Sequence, residues 1–200
     1  MISVAEDGIF LIWDLYMIEK DTHIIQEIDS DFIWKPIFQL RMLRPDGSGE
    51  LGMSHCTFTP DQATPTFWST SDEGELLQVD WSIRAQDEAK TENVRIMRDD
   101  VRSYRPCLGL QVSPFFQDLI LTLHDFNFVI WKNDLDTPIF KSANCSEQSH
   151  HITCGCWSPT RPGVIFVGKT SGQINIWDFL DQSHKPSIEI SLTSQSITYL

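Results

Sequence analysis

Two groups of side chains in this 200-residue chain are of types that do chemistry. Cys154-Gly155-Cys156 follows His150 and His151, and thiolates and imidazoles are the ordinary ligands of zinc. Thr122, His124 and Asp125 bring a hydroxyl, a base and an acid close together, the makings of a nucleophilic set. Neither spacing suits the chemistry. Zinc ribbons use cysteines two or more residues apart on a turn, with a second ligand pair elsewhere. Here the two cysteines sit two positions apart in a strand-like run, on one face and about 7 Å from each other at ~3.3 Å rise per residue. They cannot form a disulfide without distortion, and they read as small residues packed between neighbouring layers. Cys145 stands alone. The His124 group has neither the Gly-x-Ser-x-Gly elbow nor the strand–turn–helix setting that exposes a nucleophile. Thr170-Ser171-Gly172, Asp72-Glu73-Gly74 and Asp7-Gly8 are short glycine turns of the hairpin kind. None is a phosphate loop, which needs the Gly-x-x-x-x-Gly-Lys-Ser/Thr pattern. The expectation is no catalytic residue, no cofactor and no metal.

The elements that hold these residues repeat. Phe58-Thr59-Pro60, Val112-Ser113-Pro114 and Trp157-Ser158-Pro159 each place a hydrophobe, a hydroxyl and a proline in a row. An apolar run follows each, at Phe67-Trp68, Leu119-Ile120-Leu121 and Val164-Ile165-Phe166. A turn then leads to a second run ending at Gln78-Val79-Asp80, Ile130-Trp131-Lys132 and Ile176-Trp177-Asp178. Gly8 to Leu15 is a half copy containing Trp13-Asp14. The turn anchors Gly8, Gly74, Phe126 and Gly172 stand 66, 52 and 46 residues apart. Recurrence at this period marks a repeat fold, here a β-propeller, in which a blade takes ~40–45 residues.

The fold class expected is therefore all-β: a partial propeller of about three full four-stranded blades plus flanking strands, forming one domain over residues 1–200. Blade ends fall near 1–42, 53–97, 107–141 and 151–192, and a further blade opens at 194–200, where Ser196 to Leu200 read as a new strand. The chain reads as a segment of a longer propeller or a truncated form of one. Strands are expected at Ile9–Trp13, Pro36 to about Met42, Ser54–Thr59, Thr66–Thr70, Leu76–Trp81, Val94–Met97, Cys107–Ser113, Asp118–Leu123, Phe126–Lys132, Ile152–Ser158, Gly163–Gly168, Gln173–Phe179 and Ser187–Leu192. Pro36, Pro138 and Pro186 head outermost strands, where a missing N–H loses no ladder partner. Lys20–Lys35 is a connector and Arg84–Glu92 an exposed charged loop. Trp13, Trp131 and Trp177 are expected in the core. Trp34, outside the repeat, reads as a packing residue or as an exposed binding anchor.

Composition narrows the functional classes. A net charge of −13 disfavours a nucleic-acid or anionic-membrane surface. No run of 18 apolar residues offers a membrane span. Five cysteines without disulfide spacing point to an intracellular, reducing location. A propeller is ordinarily a rigid binding platform, so the expected role is protein interaction, not catalysis.

The Trp-Asp ends and Ser-Pro elbows resemble WD-repeat proteins. The Gly-His dipeptide usual before the first strand is absent, Val79 stands where Trp is expected and Lys132 where Asp is expected. By the resemblance, Thr122, Asp125 and Trp131 form a structural hydrogen-bond cluster. Ser113-Pro114-Phe115-Phe116-Gln117-Asp118-Leu119-Ile120-Leu121-Thr122 followed by Phe128 to Lys132 is similar to the dynein intermediate chains. So is Trp157-Ser158-Pro159-Thr160-Arg161-Pro162-Gly163-Val164, with Gly172 to Leu180 and Lys185-Pro186. The likeness is close over residues 100–190 and looser over 1–99, through Gly74 to Trp81. Its best form is an axonemal inner-arm dynein intermediate chain. The repeat signature is carried by Trp13, Asp14, Pro60, Gly74, Asp80, Pro114, Asp125, Trp131, Trp157, Pro159, Arg161, Pro162, Gly172, Trp177 and Asp178. Arg161 is placed to pair with a carboxylate on the rim, and Gly163, outside this signature, to turn the chain into the next strand.

The resemblance implies a non-catalytic scaffold subunit of a ciliary dynein. Its propeller would bind a dynein heavy chain and help hold the motor on doublet microtubules, an indirect microtubule association within the axonemal cytoskeleton. Other dynein intermediate and light chains would be its companions, with light chains attached upstream of the propeller. No nucleic acid or membrane partner is implied. The alternative is a generic WD-repeat adaptor, such as a substrate receptor of a ubiquitin ligase.

Overall fold

The computed structural model describes residues 1–13, 35–58, 65–81, 94–98, 105–143 and 150–200. Among them, strands and no helix build four antiparallel sheets, each a simple meander. The first contains β1 (Ile2–Val4), β2 (Ile9–Ile12) and β3 (Phe38–Arg41). The second contains β4 (Met53–Phe58), β5 (Thr66–Ser71), β6 (Leu76–Asp80) and β7 (Val94–Met97). The third contains β8 (Gly109–Val112), β9 (Leu119–Leu123), β10 (Phe128–Lys132) and β11 (Phe140–Lys141). The fourth contains β12 (Ile152–Trp157), β13 (Val164–Lys169), β14 (Gln173–Asp178) and β15 (Ile188–Ser191). The three strands of the first sheet correspond to the second, third and fourth strands of the others.

β-branched and aromatic residues fill the middle strands because these lie between two apolar layers. Alternation then sends successive side chains to opposite neighbours. In the third sheet Ile120, Val129 and Trp131 face back towards Trp68, Leu76 and Met97 of the second. Leu121, Leu123, Phe128 and Ile130 face forward onto Trp157, Ile165, Val167 and Trp177 of the fourth. The first seam is built alike: Phe10 stacks on Phe67 at 4.4 Å between ring centroids, with Leu40, Leu77 and Val79 around them. At the third seam Phe128 meets Trp177 edge-on at 5.0 Å. The innermost strands β4, β8 and β12 neighbour one another in turn. The sheets are successive wedges of an arc, with the core distributed along three seams.

The two rims differ. One carries the hairpin turns between second and third strands, and the chain crosses to the next sheet beneath them. Gly172 has φ 78°, and a Cβ there would lie 2.0 Å from the Thr193 carbonyl oxygen. At Gly74 (φ 84°) the same atom would lie 2.2 Å from the Arg105 carbonyl oxygen. Only glycine combines that dihedral with such close passage. In the third sheet Phe126 stands at this turn, and His151 packs edge-on against its ring at 4.8 Å. The other rim carries the Ser-Pro elbows and the connections into the outermost strands.

Several expectations shift. Pro36, Pro138 and Pro186 lie two residues ahead of β3, β11 and β15, because the first ladder bonds come from the following N–H groups: Ile37 to Ile12, Ile139 to Ile130 and Ser187 to Ile176. The Ser196–Leu200 segment forms no strand. Its Ile197 N–H donates to the Lys169 carbonyl at 3.2 Å, and Thr153 Oγ1 donates to the Ile197 carbonyl. Asp14, Trp34, Thr59, Pro60 and Cys145, the connector from Lys20 and the Arg84–Glu92 loop lie outside the described residues.

Among the described residues, no sheet packs against the forward face of the fourth sheet. Phe166 pairs with Ile176, which pairs with Ile188, and Ile174 pairs with Ile190. These stand at the register of Leu121, Ile130 and Phe128, which the next sheet covers. Ile188 is 53% exposed and Ile190 40%. Cys154 and Cys156 share this face, so of the Cys-Gly-Cys triplet only Gly155, against Leu123, is turned towards the neighbouring sheet.

Candidate functional site

The Thr122 group is structural in its geometry. Trp131 Nε1 donates to Thr122 Oγ1 at 2.9 Å, and His124 Nε2 lies 3.3 Å from the same oxygen. Thr122, His124 and Trp131 are all buried. A hydroxyl clasped between an indole and an imidazole inside a seam has no path to a substrate. Asp125 is not part of this cluster, contrary to the expectation from the family pattern. Its carboxylate pairs with Arg105, whose guanidinium also lies 4.3 Å from the Phe126 ring centroid. The cation arrives from the preceding crossover, and an ion pair on the rim outcompetes a reach into the seam.

Cross-strand register decides which other sheets can build such a cluster. Trp131 pairs with Ile120, and Thr122 sits two places along, opposite Val129. In the first sheet the same diagonal joins Trp13 Nε1 to Ser3 Oγ at 3.0 Å, at a half-buried tryptophan. In the fourth the hydroxyl position is Val167, so Trp177 is held by packing on Phe128, Phe140 and Phe179. In the second, Val79 replaces the indole, and Ser69 turns its hydroxyl to the His55 carbonyl at 2.7 Å.

Among the described residues no three His, Cys, Asp or Glu side chains stand together in a way that could hold an ion. Burial raises the thiol pKa of Cys56, Cys107 and Cys156, which disfavours the thiolate that a metal or an electrophile needs. Burial also lowers the pKa of His55 and so favours its neutral form.

What the fold presents outward is the elbow rim. Ser113 Oγ accepts from the N–H groups of Phe115 and Phe116 at 3.3 and 3.2 Å. Ser158 Oγ accepts from those of Thr160 and Arg161 at 3.4 and 3.1 Å. A buried hydroxyl thus organises each elbow, and the proline after it fixes φ, leaving Pro114, Pro159 and Pro162 exposed. Gly163 takes φ 73°, and its carbonyl accepts from the Phe179 N–H at 3.0 Å. Arg161 Nη2 reaches Asp178 Oδ2 at 2.7 Å, tying the elbow to the Trp-Asp end as the sequence suggested. Asp80 closes β6 opposite Thr66. Of the signature residues, the structure brings together Arg161 and Asp178 on this rim, and leaves Gly74, Asp125 and Gly172 on the hairpin rim.

The hairpin rim is pinned by its own charges. Arg44 reaches Glu73 at 3.0 Å, and Arg98 reaches Glu75 at 2.8 Å. Sequence inspection missed these pairs, whose partners lie 29 and 23 residues apart.

Meandering sheets stacked face to face, with Trp131 and Trp177 of two third strands buried in the seams and Ser-Pro elbows on one rim, define part of a WD-repeat β-propeller. The particular family follows from sequence comparison: residues 53–200 match the model described as the dynein axonemal intermediate chain 3 WD40 domain, and the chain belongs to that family. It is 31% identical over 163 residues to dynein axonemal intermediate chain 3 of Homo sapiens, covering 79% of this chain and 18% of that protein. The Mus musculus protein of the same name is 30% identical over 176 residues, covering 83% of this chain and 18% of the relative. The 70 kDa intermediate chain of the flagellar outer arm dynein of Chlamydomonas reinhardtii is 30% identical over 95 residues, covering 46% and 16%. The chain therefore spans under a fifth of the length of these relatives.

Proposed function

We propose that this chain is a non-catalytic scaffold subunit of an axonemal dynein, and that its propeller binds a dynein heavy chain. The observation that carries the reading is the match to a dynein intermediate chain family across residues 53–200. The site supports it in kind: a hydroxyl clasped by Trp131 inside a seam, and a preorganised apolar rim outside. Such a surface binds protein. ATP hydrolysis then belongs to the heavy chain, and the subunit works at the cilium axoneme, on the cytoskeleton, with other intermediate and light chains in the same complex. Its microtubule association is indirect. Assignment to the inner arm rests on the motif strings around the two Ser-Pro elbows.

Affinity purification of the tagged full chain from ciliated cells, read by mass spectrometry, tests this. Dynein heavy chain and intermediate chains should be recovered together. Recovery of ubiquitin-ligase scaffold subunits without any dynein chain would replace this reading with the generic adaptor.

A further inference from the structure

Six of the large apolar side chains left exposed among the described residues lie on the elbow rim. Ile37, Phe115, Phe116, Leu135, Ile139 and Leu180 all lie in its connections. Between the third and fourth sheets this rim opens into a cleft of about 200 Å³. Its walls include Phe116, Ile130, Ile139, Phe140, Trp157 and Phe179. Both elbow motifs contribute, Phe116 from the first and Trp157 from the second. The volume falls below the ~300–1,000 Å³ of sites that hold small molecules, and no set of polar groups converges to orient one. It suits a single bulky side chain. The Ser113 and Ser158 hydroxyls already fix the elbow backbones, so little ordering is lost when the cleft fills.

Carboxylates stand in the same connections of this rim. Asp118 and Asp134 each lie 3.9 Å from Lys132, which two acids therefore share. Asp136 takes Arg95 at 2.8 Å, Asp178 takes Arg161 at 2.7 Å, and Asp181 follows Leu180. Lys132, Arg95 and Arg161 are thus engaged by acids of the rim, on a chain of net charge −13. A basic visitor meets attraction there and an acidic one repulsion.

We propose that this cleft receives one apolar side chain of Leu, Phe or Trp size from an amphipathic, Lys/Arg-flanked segment of the partner protein. The inference rests on the reading that the propeller binds a heavy chain, and it says where the grip falls. An apolar anchor in a dry pocket, ringed by polar contacts, is the usual form of a binding hot spot.

The test is co-purification of the full chain with a purified axonemal dynein heavy-chain tail, titrated by fluorescence anisotropy. Ile139→Asp and Phe116→Ser should each weaken binding at least about tenfold. Leu192→Asp, on the hairpin rim, should bind as wild type does, and wild-type affinity should fall as salt rises. Leu180→Asp, at a side chain 79% exposed, repeats the measurement where no seam is touched. It should weaken binding in the same direction with unchanged circular dichroism. Wild type that binds the tail, with all three rim variants equally tight, overturns the cleft and leaves the heavy-chain reading standing. Wild type that ignores the tail overturns both.

Discussion

Replacing Thr122 by Val tests how the seams are held. The two side chains are close in shape, so the change removes a hydroxyl and little else. In the native protein that hydroxyl accepts from Trp131 Nε1 at 2.9 Å, with Thr122 1% exposed and Trp131 2%. After substitution the indole N–H stays buried without this acceptor, because water cannot enter a seam closed by Leu76, Leu110 and Val129. Leaving one buried donor unmade costs about 1–3 kcal/mol. At about 2–4 °C per kcal/mol for a chain of this size, a loss of 2 kcal/mol lowers Tm by roughly 4–8 °C. Urea unfolding followed by tryptophan fluorescence gives the free energy directly. The double variant with Trp131→Phe sharpens the test. Phe has no N–H to strand, so Thr122→Val should cost much less in that background, leaving a coupling of about 1 kcal/mol or more. Additive costs, or a Thr122→Val loss under about 0.5 kcal/mol, would refute the view that this bond fixes the indole between sheets. The fourth sheet is the internal contrast: Val167 already stands at this register opposite Trp177's strand, and packing alone holds that tryptophan.

Further outcomes follow from the same geometry. Gly172→Ala forces a Cβ to 2.0 Å from the Thr193 carbonyl oxygen at a positive φ, and should destabilise by about 2 kcal/mol or more in the same urea assay. Arg161→Ala should cost no more than about 1 kcal/mol, because Arg161 is 62% exposed in its pair with Asp178, and the loss should shrink in high salt. Burial lowers the folded-state pKa of His55, so the unfolded chain binds its proton first as pH falls. Stability should therefore drop as pH falls through about 6.5, the ordinary histidine value, and His55→Gln should blunt the drop in melts run across that range.

Much of the strand layout was legible because the middle strands are β-branched and aromatic runs closed by glycine turns, a local pattern. Trp131 and Trp177 could be assigned to the seams since each ends such a run. The partners of side chains were harder to see. Whether a tryptophan finds a hydroxyl depends on cross-strand register, which separates Thr122 from Val167 though both sit in similar runs. Asp125 was misassigned because its cation, Arg105, comes from 20 residues earlier and from another connection. The same holds for Arg44 with Glu73. The Ser196–Leu200 run has strand-like composition, yet composition does not supply a ladder partner. Cys154 and Cys156 were expected between sheets, and the strand's alternation turns them instead to the forward face of the fourth sheet, where Cys154 Sγ lies 3.6 Å from the Ile197 carbonyl oxygen. The elbows were the best-read part of the site: the Ser-Pro pair and Arg161 act locally, through hydrogen bonds two and three residues away and an ion pair to the neighbouring Trp-Asp end.

An electron cryo-microscopy map of the full chain bound to an axonemal dynein heavy-chain tail is the most direct measurement. It should show the sheets fanned about one axis, Phe10 on Phe67 and Phe128 on Trp177 at successive seams, and the tail against Phe116 and Ile139. Sheets packed in any non-radial arrangement, or those aromatic pairs apart, would contradict the account.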